Sequence, residues 1–418
     1  MPSIRKSLLQ FTFAGSFMKR WNDKLRPMEL IELDKQAHKM IAAWVLYELN
    51  SQHLSDDERI ELGRVVVEGG MFEYMYRLVI TDVKPPIFYQ IKANPDHYAM
   101  LTEWVLEQLE PRVQPLGEEF WARLTTYLRK TEGQGLEGLG RRILAAAHLY
   151  ASNWEFELIK RLSPQDDELE EIDQSFRDEL NAHKDLAGVE ELMRGPASTL
   201  GKFCHLCGQL RFQKRWSQTP RIPETSVIGH MFLVACYASF FSMAMETCKA
   251  RMVNNFFAGL FHDMPELLTR DIISPVKKSV SHISELINEY ERKELHRRVL
   301  GPMRTAGYGP LAGRLAYFLG LEVGSEFQAC VMVDGKPRAV TDDELETVYN
   351  QDRYDPKDGS MLKVCDTLAA FIEAYTALRN GISSDELQQG LFRMRQSYAK
   401  TVLGGGKIHV GALIADFD

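Results

Sequence analysis

The chain has 418 residues, 45% of them hydrophobic, and a formal net charge of −8 at pH 7. That length exceeds one ordinary hydrophobic core, so two domains are expected. The acidic balance offers no basic footprint for a phosphodiester backbone, which argues against a nucleic-acid polymer as partner.

Six cysteines, at 204, 207, 236, 248, 330 and 365, are sparse, and several sit inside apolar helical runs. They read as reduced, buried thiols, and a cytoplasmic location is expected. Arg5 and Lys6 precede a short apolar run broken by Gln10, Thr12 and Ser16, with no small-residue cleavage pattern. No stretch has 18 uninterrupted apolar residues, so no membrane span is expected.

Helical periodicity runs from end to end. Lys35 to Leu49 and Arg141 to Leu158 repeat apolar residues three and four apart, and alternating strand patterns are scarce. The best candidate for β structure is a hairpin, 329–333 with 338–341, around Asp334-Gly335-Lys336-Pro337. The fold class is therefore all-α. Residues 164–197 begin strongly acidic and close at Arg194-Gly195-Pro196-Ala197, which reads as a solvated linker helix followed by a break. It separates an N-terminal helical domain, 1–163, from a second domain, 198–418.

A faint repeat crosses that boundary. Lys19-Arg20-Trp21 precedes His38 and an apolar helix, and Lys214-Arg215-Trp216 precedes His230 and another. Met71-Phe72-Glu73-Tyr74 lies where the second half has His262-Asp263, and Ala145-Ala146-Ala147-His148 where it has Lys363-Val364-Cys365-Asp366. Two readings stay open: a degenerate duplicate, or two unrelated helical domains.

The second half carries the chemistry. Thr225 or Ser226 caps a helix that is apolar on every side and holds His230 in its first turns. The next apolar helix, from Arg251, ends at Phe261, and the break before Pro265 lets the adjacent His262 and Asp263 converge. Asp366 is a lone carboxylate in an apolar run, and burying it unpaired costs several kcal/mol. A cation removes that cost. Two imidazoles and two carboxylates suit one divalent ion, among Co, Mn, Ni, Fe, Zn and Mg. Glu266, three residues after Asp263, returns to the same side as a candidate acid/base. Arg215 supplies a guanidinium for phosphate. Cys204-His205-Leu206-Cys207 has no second pair at zinc-finger spacing, and Gly404-Gly405-Gly406-Lys407 lacks the context of a phosphate loop.

His230, His262-Asp263 and Asp366 resemble the H…HD…D signature of HD-domain phosphohydrolases. Phe203-Cys204-His205-Leu206, Arg215-Trp216, His262 to Asp271, Ser274-Pro275-Val276-Lys277 and Asp366-Thr367-Leu368 more specifically resemble the bacterial 5′-deoxynucleotidases of the YfbR-like type, over residues 200 to 380. The resemblance implies a helical HD bundle in which His230, His262, Asp263 and Asp366 bind one divalent metal and Glu266 is the catalytic acid/base. It further implies that Arg215 and Trp216 orient phosphate and sugar, and that Asp271 and Ser274 hold the nucleoside 3′ side. The expected substrate is a small nucleotide, a (deoxy)nucleoside 5′-monophosphate. Within the same superfamily a deoxynucleoside triphosphate or cyclic nucleotide is the alternative, and a non-catalytic nucleotide sensor is a third reading. Ile228-Gly229 precede His230 where the family usually has an acidic residue. Its short members are homodimers, so the N-terminal half is expected to stand in for a partner subunit, in a monomer with pseudo-dimeric halves, or to add to a homodimer. One active site per chain is expected.

Overall fold

The computed structural model describes residues 3–81, 83–162, 167–269 and 281–417, with the backbone alone given at 281–284. It is 71% helical with only very short strands, an all-α fold. Six helices position the site: α1 (Glu32–Asn50), α2 (Asp56–Ile80) and α3 (Gly135–Lys160) in the first half, α4 (Val227–Ala244), α5 (Lys249–Phe261) and α6 (Gly359–Arg379) in the second.

Their boundaries follow local chemistry. Ser55 and Glu58 close a capping box at the start of α2. Of the two candidate caps for α4 it is Ser226 that acts, its Oγ accepting from Gly229 N at 3.0 Å. Asp358 caps α6 by accepting from Met361 N at 2.9 Å. α4 is long and apolar enough to cross a membrane, with mean hydropathy 1.7, yet 94% of it is buried inside the molecule. It is the central helix, packed against α1, α5 and α6. One continuous apolar core runs through both halves, from Leu8 to Phe417.

Gly259 allows α5 to lie close on α4, for a Cβ there would meet Ala235 Cα at 3.0 Å. The start of α5 is tied to the start of α6: buried Arg251 pairs with Asp358 and Glu346, and Asn255 Oδ1 accepts from Asp358 N at 2.8 Å. The hairpin is present as β3 (Cys330–Val333) and β4 (Lys336–Ala339), after the two-residue pairs β1 (Lys19–Arg20) and β2 (Leu30–Ile31). Lys336 and Pro337 belong to its second strand, because Asp334 and Gly335 alone make the turn, both with positive φ. The acidic helix Asp167–Asn181 is docked on α3, burying Leu169 and Leu180 and pairing Asp173 with Lys160 at 2.6 Å.

The two halves share several local features. Lys19 opposes Ile31 and, at the same spacing, Lys214 opposes Ser226. Trp21 and Trp216 both take left-handed backbone, φ 56° and 54°. Each donates its indole N–H to a buried glutamate, Trp21 to Glu155 on α3 (3.1 Å) and Trp216 to Glu373 on α6 (3.0 Å). Gly70 on α2 faces the Met40 side chain of α1, and Gly259 on α5 faces the Ala235 backbone of α4. Counting from these anchors, Lys35 corresponds to His230, Glu73 to His262, Tyr74 to Asp263, Arg77 to Glu266 and His148 to Asp366. Lys35, rather than His38, therefore occupies the place of the first histidine. His38 faces away, toward Cys204 O at 2.9 Å and Arg211.

Candidate metal centre

α4 delivers His230, the end of α5 delivers His262 and Asp263, and α6 delivers Asp366. Ring and carboxylate atoms converge. His230 Nε2 lies 3.0 Å from Asp366 Oδ1 and 3.8 Å from Asp263 Oδ2, and His262 Nε2 lies 3.3 Å from Asp263 Oδ2 and 3.9 Å from Asp366 Oδ1. Among the described residues, His230, His262 and Asp366 form the group of three metal-capable donors within 4.8 Å of one another, with Asp263 at its edge.

The fit to an ion rests on one orphaned atom. His262 Nδ1 is tied to Gly259 O at 2.7 Å, which directs Nε2 into the cluster, where it is buried and makes no hydrogen bond. Leaving such an atom unpaired costs about 1–3 kcal/mol, so a ligand role for it is consistent with its burial. Burial by itself would lower the His262 pKa, but the Asp263 and Asp366 carboxylates override it and lift it to about 9. Asp366 is held well below the usual carboxylate range: burial opposes this, and the His230 hydrogen bond and Lys363 prevail. Both shifts arise because the Asp263 and Asp366 carboxylates face imidazole and ammonium groups across the cluster.

Arg215 reaches the same centre, its Nη1 3.2 Å from Asp263 Oδ2 and its Nε 3.4 Å from Glu373 Oε2. Glu266 is buried and opens the short helix Glu266–Thr269, directly after the turn that ends α5. Trp216 is held at the rim by Glu373 and packs beside Arg221. Asp271 and Ser274 lie outside the described residues. Cys204 and Cys207 are buried free thiols inside helix Thr199–Gly208, His296 is exposed, and Gly404–Gly406 form a turn between two short strands.

Three participants escaped the sequence reading. Glu373 sits fully buried behind His230 and Arg215; Lys363 Nζ is 2.8 Å from Asp366 Oδ2; Asp34 comes from the other half. Asp34 Oδ1 accepts from Ser226 Oγ at 2.6 Å and fills the space beside Gly229, where a Cβ would meet it at 2.6 Å. The acidic group missing from the residue before His230 is thus supplied near by α1. Glu373 had a readable signal, a lone carboxylate in an apolar run like that of Asp366. Asp34 had none.

In the first half two of the corresponding positions hold basic side chains, Lys35 and Arg77, and the others hold Glu73, Tyr74 and His148. Lys35 is completely buried with its Nζ 2.7 Å from His148 Nδ1, Lys39 pairs with Glu73, and Arg77 lies 3.4 Å from Glu32. Burial, the largest cause, pushes both Lys35 and His148 well below their ordinary pKa ranges.

Residues 207–395 match the family model described as HD domain, and this segment contains all four converging residues. The match covers less than half of the chain. The match supports the HD-domain superfamily for this segment, a domain that generally indicates a metal-dependent hydrolase. No curated protein and no solved structure matches the chain.

Proposed function

We propose that the chain is a metal-dependent phosphohydrolase that removes the 5′-phosphate of (deoxy)nucleoside monophosphates at the second-half centre. The observation that carries this is the convergence of His230, His262 and Asp366, with Asp263 at the edge of the cluster and the Arg215 guanidinium 3.2 Å from its carboxylate. These four side chains would hold one divalent ion. When bound, such an ion supplies Lewis acidity, acidifying water and drawing charge from a phosphoryl oxygen.

The rest is done by the chain itself. Arg215 has Nε and Nη1 engaged by Glu373 and Asp263, which fixes the plane of the guanidinium and leaves Nη2 as its donor to a phosphate oxygen. Glu266, buried at the next turn, takes a proton from the attacking water and returns one to the departing 5′-oxygen. The new bond is water oxygen to phosphorus, the bond broken is phosphorus to O5′, and the products are nucleoside and orthophosphate. The first half, with Lys35 and His148 in place of two ligands, serves as the fixed partner of the second, so each chain holds one active site.

A nucleotide panel tests this. Protein loaded with Co, Mn, Ni, Fe, Zn or Mg is given mono-, tri- and cyclic nucleotides, and the released group is identified. Orthophosphate from monophosphates is expected. Tripolyphosphate from triphosphates, ring opening of a cyclic nucleotide, or binding without turnover would each replace the proposed reaction.

A further inference from the structure

Glu373 is fully buried, and its carboxylate serves groups from three directions. Oε1 accepts from Thr225 Oγ1 at 3.0 Å and lies 3.5 Å from His230 Nδ1. Oε2 accepts from Trp216 Nε1 at 3.0 Å, and Arg215 Nε and Arg221 Nη1 stand 3.4 and 3.8 Å from it. His230 turns Nε2 toward Asp366, so Nδ1 is the nitrogen left for Glu373, and it makes no closer hydrogen bond. A metal-bound imidazole usually directs its second N–H at a carboxylate or carbonyl, which fixes its tautomer and ring plane. Trp216 is also locked by this carboxylate, in a left-handed backbone conformation that non-glycine residues rarely adopt.

We propose that Glu373 is a positioning residue that holds the metal-binding His230 and the phosphate-facing Arg215–Trp216 pair in one fixed relation, so that metal affinity and phosphate binding depend on the same buried carboxylate. This rests on the metal-centre reading above. The first half contains its own control. Glu155 makes the same clamp on Arg20 (2.7 Å) and Trp21 (3.1 Å) and adds Arg211 (2.8 Å), but Lys35 stands where His230 would be, so there is no ligand to orient.

The test compares Glu373→Gln with Glu155→Gln in the full chain. Co(II) uptake is followed by visible absorption, inorganic phosphate binding to the Co(II)-loaded protein by calorimetry, and folding by circular dichroism. Glu373→Gln is expected to weaken Co(II) binding about 10–100-fold, alter the Co(II) spectrum and weaken phosphate binding. Glu155→Gln is expected to lower thermal stability while leaving the Co(II) constants at wild-type values. Should Glu373→Gln not fold, Thr225→Val removes one donor to the same carboxylate and is expected to shift Co(II) affinity in the same direction. A Glu373→Gln protein with wild-type Co(II) affinity and spectrum overturns the inference, as does a Glu155→Gln protein whose metal binding falls equally. So does an unchanged Thr225→Val where Glu373→Gln does not fold. If the wild-type chain itself takes up no Co(II), the metal-centre reading falls first and takes this inference with it.

Discussion

Gly259→Ala separates the geometry of the centre from the stability of the fold. A Cβ at Gly259 would lie 3.0 Å from both Cα and N of Ala235 and 3.2 Å from Val234 C, all backbone atoms of α4 that cannot rotate away. Such contacts are tighter than carbon atoms ordinarily accept, so α5 must move off α4 by about a few tenths of an ångström. Overpacking of this kind costs about 1–3 kcal/mol. Alanine recovers about 1 kcal/mol of helix propensity over glycine, leaving a net loss near 1 kcal/mol and a fall in Tm of about 1–2 °C. The centre suffers more. His262 is three residues on and its ring is tied to Gly259 O at 2.7 Å, so the displaced backbone carries a ligand with it. A misplacement of about 1 Å costs about 100-fold in rate, so a shift of a few tenths should lower turnover and Co(II) affinity by about 3–10-fold in a protein that still melts cooperatively. A Gly259→Ala protein with wild-type turnover and metal affinity would refute the claim that the α4–α5 approach sets the site.

Asp366→Ala should lose bound metal and turnover, measured by elemental analysis and phosphate release; full metal content would show that the four-ligand assignment is wrong. Lys35→Met should keep one metal per chain and turnover within about twofold. The variant removes the amine that His148 Nδ1 meets at 2.7 Å, so its Tm should fall, at a cost of about 1–3 kcal/mol, without any change at the metal centre. Asp34→Asn addresses pH. Burial, the largest cause, raises the Asp34 carboxyl against the Ser226 hydrogen bond, so the fold prefers the protonated form. Its contribution to stability is complete below the unfolded pKa of about 3.9 and is lost as pH rises through the higher folded value. The variant should therefore melt above wild type at pH 8, with the gap closing toward pH 4; a gap that widens on acidification contradicts this sign.

Much of this centre was legible before any tertiary structure. A polar residue alone in an apolar helical run cannot be left unpaired in a core, and that local rule marks His230 and Asp366, while the proline break marks His262 and Asp263. The all-α class follows from the 3.6-residue period in the same way. Alignment by the first conspicuous histidine, however, pairs His38 with His230, whereas the strand register and the glycine contacts put Lys35 there.

What the sequence by itself determined is the periodicity, the caps and the identity of the converging donors, because each depends on neighbours within a helical turn or on the desolvation of one group. Only the tertiary structure decided that Glu373 stands behind His230, that Asp34 crosses from the other half to the space beside Gly229, and that Lys35 faces His148. Those relations join residues more than a hundred positions apart through helix packing. The packing depends on backbone approaches such as Gly259 on Ala235, which no local pattern encodes.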